Sequence, residues 1–150
     1  MITAMGEKGI YTLVDAHQDV FARRLCGEGV PDFYAENKDL KHSCEGIIGD
    51  TAWLIGACKS MNDFDLRYDS NGNPLVEDCV KNPFVGYYPT VESESAFQRL
   101  YDNIDGVQDA FIGYWNAVSA HFVNNPYVIG YDPLNEPFPA NFYDDAGLIL

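Results

Sequence analysis

The 150 residues carry 23 acidic side chains against 9 basic ones, a formal charge of −14, in a chain that is 47% hydrophobic and without repeats. A field of that sign repels phosphate backbones and anionic lipid headgroups, which argues against nucleic acid as a partner. No apolar run approaches the roughly 20 residues needed to span a bilayer, so no transmembrane segment is expected.

In chain order, Met1 to Gly6 reads as the end of a helix, and Met1 to Gly9 lacks the basic start and long apolar stretch of a signal peptide. Ile10-Tyr11-Thr12-Leu13-Val14 predicts a strand near residues 10–14, apolar enough to be buried on both faces as in a parallel sheet. It runs straight into the polar groups Asp15, His17, Gln18 and Asp19.

Residues 21–94 show little periodicity and much Gly, Pro, Asn and Asp, which predicts a long loop over the strand ends with one short helix around Trp53, between Gly46 and Ala57. That loop holds all four cysteines, Cys26, Cys44, Cys58 and Cys79. None stands in a Cys-x-x-Cys pair, so a zinc site is poorly served and no metal is expected. An even number suits two disulfides in an oxidising compartment, with all three pairings open; the alternative is four buried thiols in a reduced one. Asp69 to Pro74 superficially resembles a calcium loop, but its sixth position is Pro74 and its twelfth is Val80, so a tight turn at Asn71-Gly72 is predicted instead.

Beyond the loop, apolar residues recur in steps of three and four at Phe97, Leu100, Tyr101 and Ile104. The pattern continues at Val107, Phe111, Tyr114, Trp115, Val118 and Phe122. This predicts one buried stripe, with Trp115 in the core, over two helices near 95–124 that break around Asn103 to Gly106. Ser95-x-x-Gln98 and Asp105-x-x-Gln108 each read as a capping box. Asn124-Asn125-Pro126 stops the second helix, and a second strand is predicted near 127–134. The fold class is therefore α/β, with its polar groups gathered at the C-terminal ends of parallel strands.

Glu136 carries the sharpest chemical signal. A glutamate ending a buried strand is desolvated on one side, which raises its pKa towards that of a working acid. Asn135 beside it can hydrogen-bond a hydroxyl, and Pro137 turns the chain so that the carboxyl faces a cleft. Tyr87, Tyr88, Trp53 and Phe138 could stack on sugar rings or serve the core, whereas His42 and His121 read as structural or solvated.

The stretches Gly130-Tyr-Asp-Pro-Leu-Asn-Glu-Pro137 and Asp15-Ala-His-Gln-Asp-Val20 resemble glycoside hydrolase family 5. Within it they are most similar to the endoglycoceramidase group. Leu25-Cys-Gly-Glu-Gly-Val-Pro31, Cys58-Lys-Ser-Met61 and Leu100-Tyr-Asp-Asn103 share the likeness. The resemblance implies a (β/α)8 TIM barrel, of which residues 1–150 would be a partial fragment carrying the third and fourth strands and a long cysteine-containing βα loop. It implies Glu136 as general acid/base, Asn135 as the partner of the sugar 2-hydroxyl, and His17 and Asp19 as contacts to sugar hydroxyls. The implied partner is a glycan or glycolipid substrate, cut at the bond between glycan and ceramide without any cofactor.

Retaining glycosidases need a second carboxylate about 5–5.5 Å from the first. The resemblance puts that nucleophile at the end of a seventh strand. The remaining glutamates are Glu7, Glu28, Glu36, Glu45, Glu77, Glu92 and Glu94, and none follows a buried strand in the required way. Both ends read as cut, Ala146 to Leu150 stopping in an apolar run. The rest of the barrel is thus expected on the same full-length chain, the isolated fragment is expected to be inactive, and the site is expected to be secreted or lysosomal. The alternatives are an inactive glycan-binding product and a β-glucanase-type family 5 enzyme.

Overall fold

The first strand, β1 (Thr12–Asp15), begins two residues later than Ile10 because the chain before it is still closing a helix. Ile10 N donates to Met5 O at 3.1 Å and Gly9 sits at φ +81°, a left-handed exit from α1 (Ile2–Gly6). The second strand, β2 (Val128–Asp132), stops where Pro133 withdraws the next amide. The two strands pair in parallel, with Val14 opposite Tyr131, Asp15 opposite Asp132, and a register irregularity between Thr12 and Leu13. This computed structural model describes residues 1–36, 51–52, 54 and 58–140. His42, Cys44, Glu45, Trp53 with most of the helix expected around it, and the apolar end at 146–150 lie outside the described residues.

Among the described residues, two helices longer than a single turn lie between the strands, as a parallel crossover requires. The first, α3 (Val91–Tyr101), starts four residues before Ser95, so the capping box expected there does not form; α2 (Val76–Cys79) is a single turn upstream. Thr90 is the cap: its Oγ1 accepts from Ser93 N, and Glu92 and Glu94 complement the positive end of the helix. The next, α4 (Val107–Phe122), is likewise not capped by Asp105, which pairs with Arg99 at 2.9 Å. Asn103 does that work, its Oδ1 accepting from Gln108 N and Asp109 N at 3.0 and 3.1 Å. The break between the helices falls where the sequence predicts it, on left-handed Asn103, Asp105 and Gly106.

The expected stripe is buried at Phe97, Leu100 and Val107, but Tyr101 and Ile104 between them are exposed. Along α4 it is not: Tyr114 is exposed and Trp115 only half-buried, so Trp115 is not core as expected. Leu13 and Ile129 are also exposed, against the expectation of strands covered on both faces. The physical reason is that, among the described residues, the elements packed on β1 and β2 supply too little surface to cover both sides of the sheet.

The core lies elsewhere, in the stretch expected to be a loop. Val20, Phe21 and Leu25 pack with Tyr34, Tyr87 and Phe97, Phe21 meeting Phe97 at 4.6 Å between ring centres. Tyr87 is thereby a core residue, while Tyr88 is half-buried against Phe97 and Phe138. Three devices hold this irregular chain. Cys26 and Cys79 form a disulfide with Cα atoms 5.4 Å apart, and Cys58 is disulfide-bonded too. Asp78, almost fully buried, takes bonds from Arg67 and Lys81, and those hydrogen bonds hold its carboxyl well below the usual carboxylate range. Asp69 Oδ1 accepts from Asn71 N and Asn73 N around left-handed Gly72, which is the turn the sequence predicts.

Candidate active site at the strand ends

The polar residues that follow β1 and β2 are brought side by side because the strands are parallel neighbours. Asp15 and Asp132 face each other at the last paired position, so Ala16 to Asp19 and Pro133 to Glu136 leave the sheet together. Asn135 N donates to Ala16 O at 3.2 Å, which ties the two departing segments.

His17 stands between two carboxylates. Its Nδ1 lies 3.1 Å from Asp15 Oδ2 and its Nε2 lies 3.4 Å from Asp19 Oδ2. The hydrogen bond to Asp15 is the largest influence and raises the imidazole pKa above its ordinary value; desolvation pulls against it, and the charges of Asp19 and Asp15 add smaller upward pushes. Asp19 is locked through its backbone to Glu28 by two bonds, 3.0 and 2.7 Å. The glycines flanking Glu28 allow this approach: a Cβ on Gly27 would lie 2.1 Å from Asp19 O, and one on Gly29 would lie 2.6 Å from Gln18 Cα.

Asn135 is half-buried and Glu136 exposed, with Glu136 in the left-handed region at φ +41°. The one-sided burial expected for the Glu136 carboxyl is not supplied by the described residues. The loop that carries it is nevertheless held on both flanks. Trp115 Nε1 donates to Pro133 O at 3.0 Å, and the Tyr101 hydroxyl donates to Phe138 O at 2.6 Å. Burial pushes the Tyr101 phenol up to about 12, so it stays a donor at every working pH.

A cleft of about 500 Å³ opens on Asp15 and His17, walled by Val30, Tyr34 and Phe111. Asp19 lines a second cleft of about 330 Å³ beside Glu28, Phe84 and the Cys26–Cys79 bridge. The sequence places His17, Asp19, Asn135 and Glu136 at one site. The structure brings all four to one sheet edge, but neither cleft takes in Asn135 or Glu136. His121 stands apart, exposed on α4 with Phe122 edge-on. Among the described residues no cluster of three or more His, Cys, Asp or Glu side chains has the geometry of a metal site, and no helix is long and apolar enough to cross a membrane.

The residue that sequence reading missed is Gln18. It is fully buried, and its Nε2 donates to Asn135 O and Glu136 O at 2.7 and 3.1 Å while its Oε1 accepts from Phe21 N. The available signal was a glutamine set between two expected sugar contacts.

A parallel strand–helix–helix–strand unit with its polar groups at the strand ends defines an α/β chain, as the sequence predicts. The chain is similar from end to end to endoglycoceramidases. It is 35% identical over 150 residues to that of Hydra vulgaris and 33% identical over 156 residues to that of Cyanea nozakii. It spans about a quarter of those relatives, 26% and 27% of their lengths. The likeness read from Gly130 to Pro137 and Asp15 to Val20 is thus borne out, and the sequence is endoglycoceramidase-like throughout. Among solved structures, that of an endogalactoceramidase aligns over 93% of this chain and 26% of its own, at 24% identity and a TM-score of 0.49. No family model matches the chain.

Proposed function

We propose that these 150 residues form the acid/base-bearing part of a retaining β-glycosidase that cleaves the bond between glycan and ceramide in glycosphingolipids. The observation that carries this is the end-to-end similarity to two endoglycoceramidases, in a chain whose Asn135-Glu136-Pro137 leaves β2 beside the His17 and Asp19 end of β1. The whole catalytic domain is then a (β/α)8 barrel, to which this chain gives two neighbouring strands, the disulfide-bonded loop and the intervening helices.

In this reading the Glu136 carboxyl protonates the glycosidic oxygen as the bond to the anomeric carbon breaks. A carboxylate from outside these residues attacks that carbon and forms a glycosyl ester. Glu136, now ionised, takes a proton from the water that attacks the same carbon, and the ester bond breaks. Asn135 holds the sugar 2-hydroxyl. His17 keeps Asp15 on Nδ1 and exchanges the longer, 3.4 Å contact of Nε2 with Asp19 for a further hydroxyl, and Asp19 accepts from one. Two carboxylates suffice for this chemistry, so it calls on no cofactor. Without the partner carboxylate the 150 residues alone do not hydrolyse the bond. The Cys26–Cys79 bridge supports residence in an oxidising compartment, secreted or lysosomal.

The test is Glu136→Gln in the full-length protein. Glycosphingolipid hydrolysis is expected to fall by about 10²–10⁴-fold, the usual worth of general acid/base catalysis. On a glycosyl fluoride, whose leaving group needs no proton, kcat/KM is expected to persist while kcat falls with the unassisted second step, and added azide is expected to yield a glycosyl azide of retained configuration. Unchanged glycolipid hydrolysis would sink the assignment. A wild-type preference for β-glucan over glycolipid would overturn the substrate and leave the chemistry standing.

A further inference from the structure

Gln18 lies between the two residues expected to touch sugar, yet it points the other way. It is 0% exposed, and its amide is saturated on both sides. Nε2 places one hydrogen on Asn135 O at 2.7 Å and the other on Glu136 O at 3.1 Å. Oε1 accepts from Phe21 N at 2.8 Å. The orientation is forced, because a flipped amide would set its oxygen against two carbonyls and its NH2 against an N–H.

What the amide joins is unusual backbone. Val20 and Phe21 occupy the left-handed region at φ +51° and +67°, both fully buried, and Glu136 occupies it at φ +41°. None of the three is glycine, and such conformations persist only where the surroundings over-determine them. One side chain from between His17 and Asp19 bonds to both strained turns at once. Its stem is clasped as well, since a Cβ on Gly29 would lie 2.6 Å from both Gln18 Cα and Gln18 Cβ.

We infer that Gln18 is a positioning residue for the acid/base: by holding the Asn135 and Glu136 carbonyls it fixes the backbone from which the Glu136 carboxyl projects. This rests on the function proposed above, and it adds a residue that reaches the reaction only through Glu136. A displacement of about 1 Å in a reacting group costs on the order of 100-fold in rate. The loss must therefore appear where the proton of Glu136 is needed and vanish where it is not.

The experiment measures kcat/KM of the full-length Gln18→Leu enzyme on a glycosphingolipid and on a glycosyl fluoride. Loss of about 100-fold on the glycolipid with less than about 3-fold on the fluoride is expected. In a Glu136→Gln background the same substitution should cost less than about 3-fold, because the group it positions is already disabled. Equal losses on both substrates, or an undiminished loss in the Glu136→Gln background, would overturn the inference and leave Gln18 a structural residue. Should Gln18→Leu fail to fold, Gln18→Glu keeps the shape and, protonated in its buried site, regains one of the two donors. It is expected to lose about 10-fold on the glycolipid and to spare the fluoride, and equal losses would again overturn the inference. If Glu136→Gln itself shows no dependence on the leaving group, the acid/base assignment has failed instead, which separates the two.

Discussion

Asp19 and Glu28 exchange two backbone hydrogen bonds, 3.0 and 2.7 Å long, and so fold residues 20–27 back onto the end of the first strand. This short antiparallel bridge turns the chain after β1 into the wall of the core and not a free loop. Val20, Phe21 and Leu25, all inside the fold-back, are buried through it. The position of Asp19 beside His17 is a consequence of the same contact.

Substitution of Gly29 tests that fold-back. Its φ of +127° and the 2.6 Å approach to Gln18 leave no room for a methyl group. Gly29→Ala is expected to destabilise the protein by about 2 kcal/mol or more, as overpacking does in a tight core. Gly72→Ala is the control, since Gly72 is also left-handed at φ +77° but has nothing within 4 Å of the added Cβ. There only the backbone term of about 1 kcal/mol applies. Urea denaturation of the two variants reads the difference, and equal losses would show that the Gly29 contact carries no weight.

The disulfide offers a second test. Cys26 and Cys79 are 53 residues apart, and closing a loop of that length in the unfolded chain is worth about 4 kcal/mol on the chain-entropy account. The paired variant Cys26→Ser with Cys79→Ser should lose stability of that order. Its thermal midpoint should also respond less to reductant than that of the parent. A midpoint indistinguishable from the parent's in oxidising buffer would show that the described packing holds the segment unaided.

The sequence made the strand–helix grammar legible, and for a clear reason. Steps of three and four at Phe97 and Leu100, and polar residues crowding behind Val14 and Tyr131, are signals carried by period and by abrupt change. The core in residues 20–36 had no such signal. Val20, Phe21 and Leu25 come together through left-handed turns and a bridge, which leave no periodic trace. The caps failed for a related reason: Ser95 and Asp105 fit the capping spacing, but Thr90 and Asn103 were nearer the true chain reversals. Gln18 was visible as one of four polar groups after a strand. That it turns inward, while His17 and Asp19 turn out, depends on the Glu136 turn more than a hundred residues away.

His17 supplies a pH test with a definite sign. Its pKa is raised above 6.5, first by the hydrogen bond to Asp15 and then by the charge of Asp19. A raised folded pKa means that the protonated form is favoured in the native state. The stabilising contribution is therefore complete below about pH 6.5 and is lost as the pH climbs through the folded value. Its side chain is 59% exposed, so the effect on overall stability is small and the ring itself is the better reporter. Proton NMR of the imidazole should show a midpoint above 6.5 that drops in Asp15→Asn and drops less in Asp19→Asn, because the nearer partner is the larger cause. A midpoint at or below 6.5 in the parent would show that the carboxylates do not grip the ring. The same measurement bears on the proposed chemistry. Only a His17 that stays protonated into neutral pH can donate from both nitrogens, one to a carboxylate and one to a sugar hydroxyl. Glycolipid binding should accordingly weaken as the pH rises through the measured midpoint, and in Asp15→Asn that weakening should begin at lower pH.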